Sequence, residues 1–191
     1  IYDKSSLVLI PSGTKTGKIF SQKPVSGDGD FTFTRASAAT RVNADGNIEK
    51  ETQNLLTYSN TFDNAAWTKT DCSVTPNTTA NPIDGALTAD TIVFNGANDQ
   101  ITQTFNVSNH TFSVYVKGTA GETIVVGFGA GAQIIHTLTG GFDRVSVFGS
   151  TNFFVFIGTF DGATARTIVV YGAQLEQGLV ARDYIETTTA A

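Results

Sequence analysis

Methionine is absent from this chain of 191 residues, and cysteine occurs once, at position 72. A single thiol excludes a disulfide within the chain. We read Cys72 as a buried spectator, because a nucleophilic role would need a histidine beside it, and only His110 and His136 exist. Charge is scarce: 15% of residues are Asp, Glu, Lys or Arg, against about 25% in an average globular chain. Few Lys and Glu and many β-branched residues argue against long helices, where branched side chains lose rotamer freedom. No apolar stretch approaches the roughly 18 residues that cross a bilayer as a helix. The most apolar run, Phe-Phe-Val-Phe-Ile at 153–157, suits a buried strand. The first twenty residues lack the ordered basic, apolar and cleavage regions of a secretory signal. With no initiator methionine before Ile1, a processed or excised piece is expected.

What is present points to a folded, mostly β protein. The chain is 40% hydrophobic, with 14 Phe and 19 Gly, and Thr is its largest polar class. That much aromatic and β-branched surface can build a core, so disorder is excluded. The net charge of −5 divides unevenly. Residues 1–50 hold seven Lys/Arg and five Asp/Glu (+2), and residues 51–191 hold five and twelve (−7). An acidic body repels phosphate backbones and anionic lipid, so neither nucleic acid nor membrane insertion is expected. With no cationic cluster visible in the sequence, any saccharide ligand is expected to be neutral or weakly basic.

Texture divides the chain near residue 53. Residues 1–53 are short apolar stretches cut by turns at Pro11-Ser12-Gly13, Lys23-Pro24 and Asp45-Gly46. They read as an extended, strand-bearing arm whose core is too thin to stand alone. Residues 54–191 read as a β-sandwich, with strands expected at 54–59, 88–94, 100–107, 111–117, 122–129, 133–138, 143–148, 152–160 and 166–176. Alternation places Phe112, Val114, Val116, Val145 and Val147 in the core, with Ser113 and Tyr115 outward. The run at 153–157 does not alternate and needs cover on both faces. Turns recur about every ten residues, at Asn95-Gly96, Lys117-Gly118, Gly140-Gly141 and Asp161-Gly162, the spacing of a sandwich or jelly roll. The segment 60–87 reads as irregular, with a short helical turn around 63–67.

Motifs for catalysis fall short. Gly13-Thr-Lys-Thr-Gly17-Lys18 has three residues between its glycines where a phosphate-binding loop needs four, and Ile19 stands where that loop has Ser or Thr. Gly127-Phe-Gly129-Ala-Gly131 is followed by a strand pattern rather than the helix a dinucleotide site requires. Asp28-Gly-Asp30 and Asn43, Asp45 and Asn47 read as solvated turns rather than calcium ligands. No Cys/His spacing suggests zinc, and no carboxylate pair is singled out for glycoside cleavage. We therefore expect no enzyme, no cofactor, no metal and no catalytic residues. Trp67 could stack on a sugar ring, although a lone tryptophan beside Phe62 is more often core. Tyr58, Tyr115 and Tyr171 are the other candidate platforms, each a flat face with a hydroxyl.

Several stretches, in order, resemble a recurring module of tailed-bacteriophage fibre and adhesion proteins. They are Leu9-Ile-Pro-Ser-Gly13, Lys18-Ile-Phe-Ser21, Gly27-Asp-Gly-Asp-Phe-Thr-Phe-Thr-Arg-Ala-Ser37, Ala39-Thr-Arg-Val-Asn43 and Gly46-Asn-Ile-Glu49. Asn54-Leu-Leu-Thr-Tyr-Ser59, Phe62-Asp63 and Trp67 follow, and Gly172-Ala-Gln-Leu-Glu-Gln-Gly178 and Asp183-Tyr-Ile-Glu-Thr187 close the set. Head-fibre and tail-fibre proteins, including those of crAss-like phages, carry similar modules. In them the part from about 54 onward is similar to a carbohydrate-binding-module jelly roll. The resemblance implies that Phe62 and Trp67 plug one end of the sandwich, and that Gln174-Leu175-Glu176 forms the closing strand with Leu175 inward. It transfers no sugar-contacting residues.

The expectation is thus a structural virion fibre protein on the virion surface, contacting other virion proteins and host glycans. The arm, 1–53, would serve attachment and oligomerisation. A homotrimer is expected: eight apolar arm residues (Leu7, Val8, Leu9, Ile10, Ile19, Phe20, Phe31, Phe33) need outside cover, and the integer three comes from the resemblance. The alternative is a polysaccharide depolymerase or other glycan-processing tail protein.

Overall fold

The computed structural model describes residues 8–15, 18–23, 31–32, 40–42, 48–50, and 53–189 except 130 and 163. Two compact units divide between Glu51 and Thr52. In the first, β1 (Val8–Lys15), β2 (Lys18–Lys23) and β3 (Phe31–Thr32) form an antiparallel sheet. Strand β1 continues through Pro11, where a break was expected, and its ladder with β2 shifts register between Leu9 and Thr14. A proline has no N–H to give a ladder, so irregular pairing there is the ordinary consequence. Strands β4 (Thr40–Val42) and β5 (Ile48–Lys50) pair antiparallel, Val42 opposite Ile48. The turn expected at Asp45-Gly46, and Asp28 and Asp30, lie outside the described residues.

The second unit is an all-β jelly-roll sandwich, with no helix among the described residues. Its strands are β6 (Thr68–Thr70), β7 (Cys72–Ala80), β8 (Leu87–Phe94), β9 (Gln100–Gly118), β10 (Thr123–Phe128), β11 (Gln133–Thr137), β12 (Asp143–Gly158) and β13 (Arg166–Gln177). They are ordered β11-β10-β12-β9-β13-β8-β7, and β6 pairs with β9. Four features differ from expectation. The pairs 100–107 with 111–117, and 143–148 with 152–160, are each one long strand, β9 and β12. The irregular segment 60–87 contains β6 and β7. Residues 54–59 are not a strand. There the buried Asn54 amide substitutes for a ladder: Nδ2 donates to the carbonyls of Ala173 and Ile185 (2.9 Å each), and Oδ1 accepts from the N–H of Leu56 (3.1 Å) and Leu175 (3.0 Å). Around 63–67 the chain makes successive turns, with Asn64 N–H donating to Thr61 and Trp67 N–H to Asn64, rather than a helix.

Two bulges let the long strands serve one core. Thr104 faces Phe154 and Val107 faces Asn152, so β9 has two residues between those pairs and β12 has one. The extra residue reverses which face is buried. Ile101 and Gln103 are buried before it, at odd positions, and Phe112, Val114 and Val116 after it, at even ones. Strand β13 does the same between Tyr171 and Gln174, where Gly172 takes φ +63°. Ile168 and Val170 face inward before that bulge, Ala173 and Leu175 after it. Phe112, Val114, Val116 and Val145 are core as expected, while Val147 is partly buried against it. Within 154–157, Val155 and Ile157 join the core, and on the far side Phe156 packs edge-on against Phe160, ring centroids 5.1 Å apart. Phe62 and Trp67 are sealed together, ring centroids 4.8 Å apart, and Leu175 points inward.

Candidate functional site

The face of β13, β9 and β12 that turns away from the core carries partly exposed aromatics in Tyr115 and, just before β12, Phe142. Register decides its layout. Tyr115 stands between Tyr171 on β13 and Arg144 on β12. Two residues along, Lys117 lies beside Val169 on β13 and over the Phe142 ring on the other side. Cation and ring therefore alternate: the Arg144 guanidinium is 5.3 Å from the Tyr115 ring centre, and Lys117 Nζ is 5.7 Å from that of Phe142. The Tyr115 and Tyr171 centroids are 6.3 Å apart, and Tyr184 from the C-terminal segment adds a third ring 5.5 Å from Tyr171.

Polar groups lock this arrangement from behind. Arg144 Nη2 donates to Ser113 Oγ at 3.1 Å. The Tyr184 hydroxyl donates to Asn60 Oδ1 (2.5 Å) and is 2.6 Å from Ser59 Oγ, which accepts from Thr187 N–H. Burial pushes the Tyr184 phenol well above its usual range, and burial raises Tyr171 too. Gly172 allows the rings to close. A Cβ there would lie 3.2 Å from Tyr115 Cδ2 and 3.3 Å from the Tyr184 ring. The face offers partly exposed rings for the apolar side of a sugar, with the Arg144 and Lys117 cations that lie over them as donors for its oxygens.

The structure treats the four tyrosine and tryptophan candidates differently. Tyr115 and Tyr171 come together on this face, Tyr115 half-exposed and Tyr171 nearly covered. Trp67 is 1% exposed and presents no ring to solvent; its Nε1 donates to the Tyr58 carbonyl at 3.0 Å. Tyr58 sits in the turn that receives that bond, at φ +50°. Sequence reasoning missed Tyr184, Phe142, Lys117 and Arg144. The spacing of Tyr115-x-Lys117 and Phe142-x-Arg144 was the available signal, since residues two apart on a strand share a face.

Other groups carry less. Asp143 Oδ2 accepts from Thr139 Oγ1 (2.8 Å) and lies 3.2 Å from His136 Nε2; these bonds hold its carboxyl below the usual range. A shallow hollow of about 280 Å³ is lined by Val93, Phe94, Thr119, Glu122, Arg166 and Thr167. Cys72 is half-buried with its Sγ donating to the Gln100 carbonyl at 3.3 Å, and burial pushes its thiol up. Among the described residues no three His, Cys, Asp or Glu gather to hold a metal.

No protein-family model and no curated protein matches the chain. Solved structures share parts of its fold. One is endo-1,4-β-D-xylanase 10B of Clostridium thermocellum, its CBM22-1 and GH10 modules complexed with xylohexaose (12% identity, TM-score 0.45, 68% of this chain and 29% of that one). Another is the CBM22-1 xylan-binding domain of Paenibacillus barcinonensis Xyn10C (15% identity, TM-score 0.41, 68% and 97%). A third is the enzymatically active domain of bacteriophage CBA120 tailspike protein 4 (15% identity, TM-score 0.43, 66% and 21%). The chain thus spans under a third of the xylanase and of the tailspike.

Proposed function

We propose that the chain is a structural phage virion protein, part of a head or tail fibre, whose sandwich binds host-surface glycans without cleaving them. The observation that carries the binding role is the in-register face of Tyr115, Arg144, Lys117 and Phe142. The Tyr115 ring on β9 and the Phe142 ring just before β12 are partly exposed, each with a cation over it, outside the core that buries Phe62, Trp67, Phe94, Phe112 and Phe128. A structural role alone does not call for such a face. The virion role rests on the ordered motif resemblance. In this reading the N-terminal unit serves attachment and self-association, and the partners are further copies of the chain and other virion proteins. Depolymerisation would need two carboxylates flanking the sugar. Glu176 is buried on this sheet, with Oε1 accepting from Gln174 Nε2 (2.7 Å) and Arg182 N–H (2.8 Å) beneath the C-terminal segment, so it serves structure instead.

A glycan array probed with the wild-type chain and with Tyr115→Ala tests the binding role. Glycans should be captured by the wild type and lost from the variant, with far-ultraviolet dichroism showing the β-fold intact in both. An array on which the two give the same signal defeats it. Antibody labelling of virions viewed by electron microscopy tests the location: label on projecting fibres is expected, and label confined to other parts of the particle would overturn the assignment.

A further inference from the structure

Five of the chain's twelve Lys and Arg residues follow residue 50, and three of those five are engaged. Lys69 Nζ donates to the carbonyls of Asp63 (2.8 Å) and Asn64 (2.7 Å). Arg166 donates to Thr123 Oγ1 (2.9 Å) and lies 3.6 Å from Asp161. Arg182 has a partner as well. Lys117 and Arg144 remain, and neither forms an ion pair with a described residue. They are diagonal neighbours on adjacent strands, a spacing of about 7–8 Å. Both lie over aromatic rings, and Arg144 Nε is buried without a hydrogen-bond partner.

In a segment with twelve acidic residues, two adjacent cations could easily have been paired. Two of the acids near this face are held by other groups. Asp143, next to Arg144 in sequence, is held by Thr139 and His136. Glu176 Oε1 is bound by Gln174 and Arg182 N–H. Glu186 and Asp84 act at the Tyr171 end of the face, where their charges disfavour ionisation of that phenol, and neither is paired with Lys117 or Arg144. Within the reading of this face as a glycan site, the geometry points to a carboxylated saccharide, such as a uronic-acid-bearing polysaccharide, as its ligand. The planar guanidinium fork of Arg144 fits a planar carboxylate, Lys117 supplies a second point charge, and the Tyr115 and Phe142 rings supply surface for the sugar. The neutral ligand expected from net charge does not follow from this face. The −7 of the body is a sum over its whole surface, whereas the cross-strand register gathers two positive charges here.

Calorimetric titration with a panel of galacturonate and glucuronate oligosaccharides, their methyl esters and a sulfated oligosaccharide tests this. At least one free acid should bind ten-fold or more tightly than its ester, which keeps the ring and removes the charge. That gap should shrink as salt rises from about 0.1 M to about 1 M, where the screening length falls from about 10 Å to about 3 Å. It should vanish in the double variant Lys117→Gln, Arg144→Gln. Equal binding of acid and ester, unaffected by salt, overturns the inference while leaving the glycan reading intact. Tighter binding of the sulfated sugar overturns the carboxylate preference. No binding of any sugar, charged or neutral, overturns the glycan reading itself. The acid–ester and salt comparisons use the wild-type chain, so they decide the matter even if the double variant fails to fold.

Discussion

Gly172 combines a left-handed backbone with crowding, and the two can be separated. At φ +63° a side chain costs backbone strain, and its Cβ would also press on the Tyr115 and Tyr184 rings. Gly85 has φ +76° with nothing within 4 Å of a Cβ. Gly85→Ala should therefore cost about 1 kcal/mol and Gly172→Ala about 2–3 kcal/mol, measured by urea unfolding. Tyr184 gives a pH signature. Its folded-state pKa is raised, so its contribution is complete below the unfolded phenol's pKa of about 10 and is lost as pH climbs from there toward the raised value. Stability should fall above about pH 10, and Tyr184→Phe should flatten part of that fall in thermal scans. Trp67 gives a negative control. Sealed against Phe62, it should show blue-shifted emission that acrylamide barely quenches and that saccharide leaves unchanged. Its burial was half-legible in sequence, since Phe62 lies five positions away. What the sequence lacked was the carbonyl of Tyr58 that receives its N–H.

At the scale of elements, one side chain does the work of a strand. Asn54 makes four hydrogen bonds, three of which tie residues 54–56 to β13 and to the C-terminal segment. Asn54→Ala leaves these backbone groups buried and unpaired, at about 1–3 kcal/mol for each one that water cannot reach. A total loss of about 3 kcal/mol or more in urea unfolding is expected; a loss under about 0.5 kcal/mol would mean that the bracket is dispensable. Gln103 has a related role: Oε1 accepts from Thr57 N–H (2.9 Å) and Nε2 donates to Thr57 O (3.0 Å), which explains a glutamine on an otherwise apolar strand face. The sequence showed the strand pattern at 111–117 clearly, because alternation there is uninterrupted. It hid the continuity of β9 and β12, because a bulge changes the inward parity mid-strand and a change of parity looks like a strand end. It hid β7, whose residues are mostly exposed and include Pro76.

For the whole molecule, the proposed self-association makes a direct prediction. Light scattering on the full chain should give the mass of a trimer, and a truncated chain beginning at Glu51 should give a lower one. A monomeric full-length chain would defeat the proposal, and a truncated chain that stays trimeric would place the interface elsewhere. The charge division supports the expectation, since a +2 segment is attracted to a −7 neighbour. Such attraction is screened, so the assembly should loosen with salt if charge contributes to it.

Composition and period-two patterning determined the β class, the exclusion of transmembrane helices and part of the core, because burial along a strand is a local property of alternate residues. Phe112, Val114, Val116 and Val145 could be assigned from their neighbours in the chain alone. Tertiary structure decided which aromatics are surface and which are core. The sequence favoured the core for Trp67 but could not rank Tyr58, Tyr115 and Tyr171 as platforms. In the structure Trp67 is sealed with Phe62, Tyr171 is nearly covered and Tyr115 borders solvent. It also decided where charge gathers. Lys117 and Arg144 are 27 positions apart in the chain. Only the β9–β12 register, set by side-chain packing on the opposite face, brings them onto neighbouring rings, and a net charge cannot encode a register.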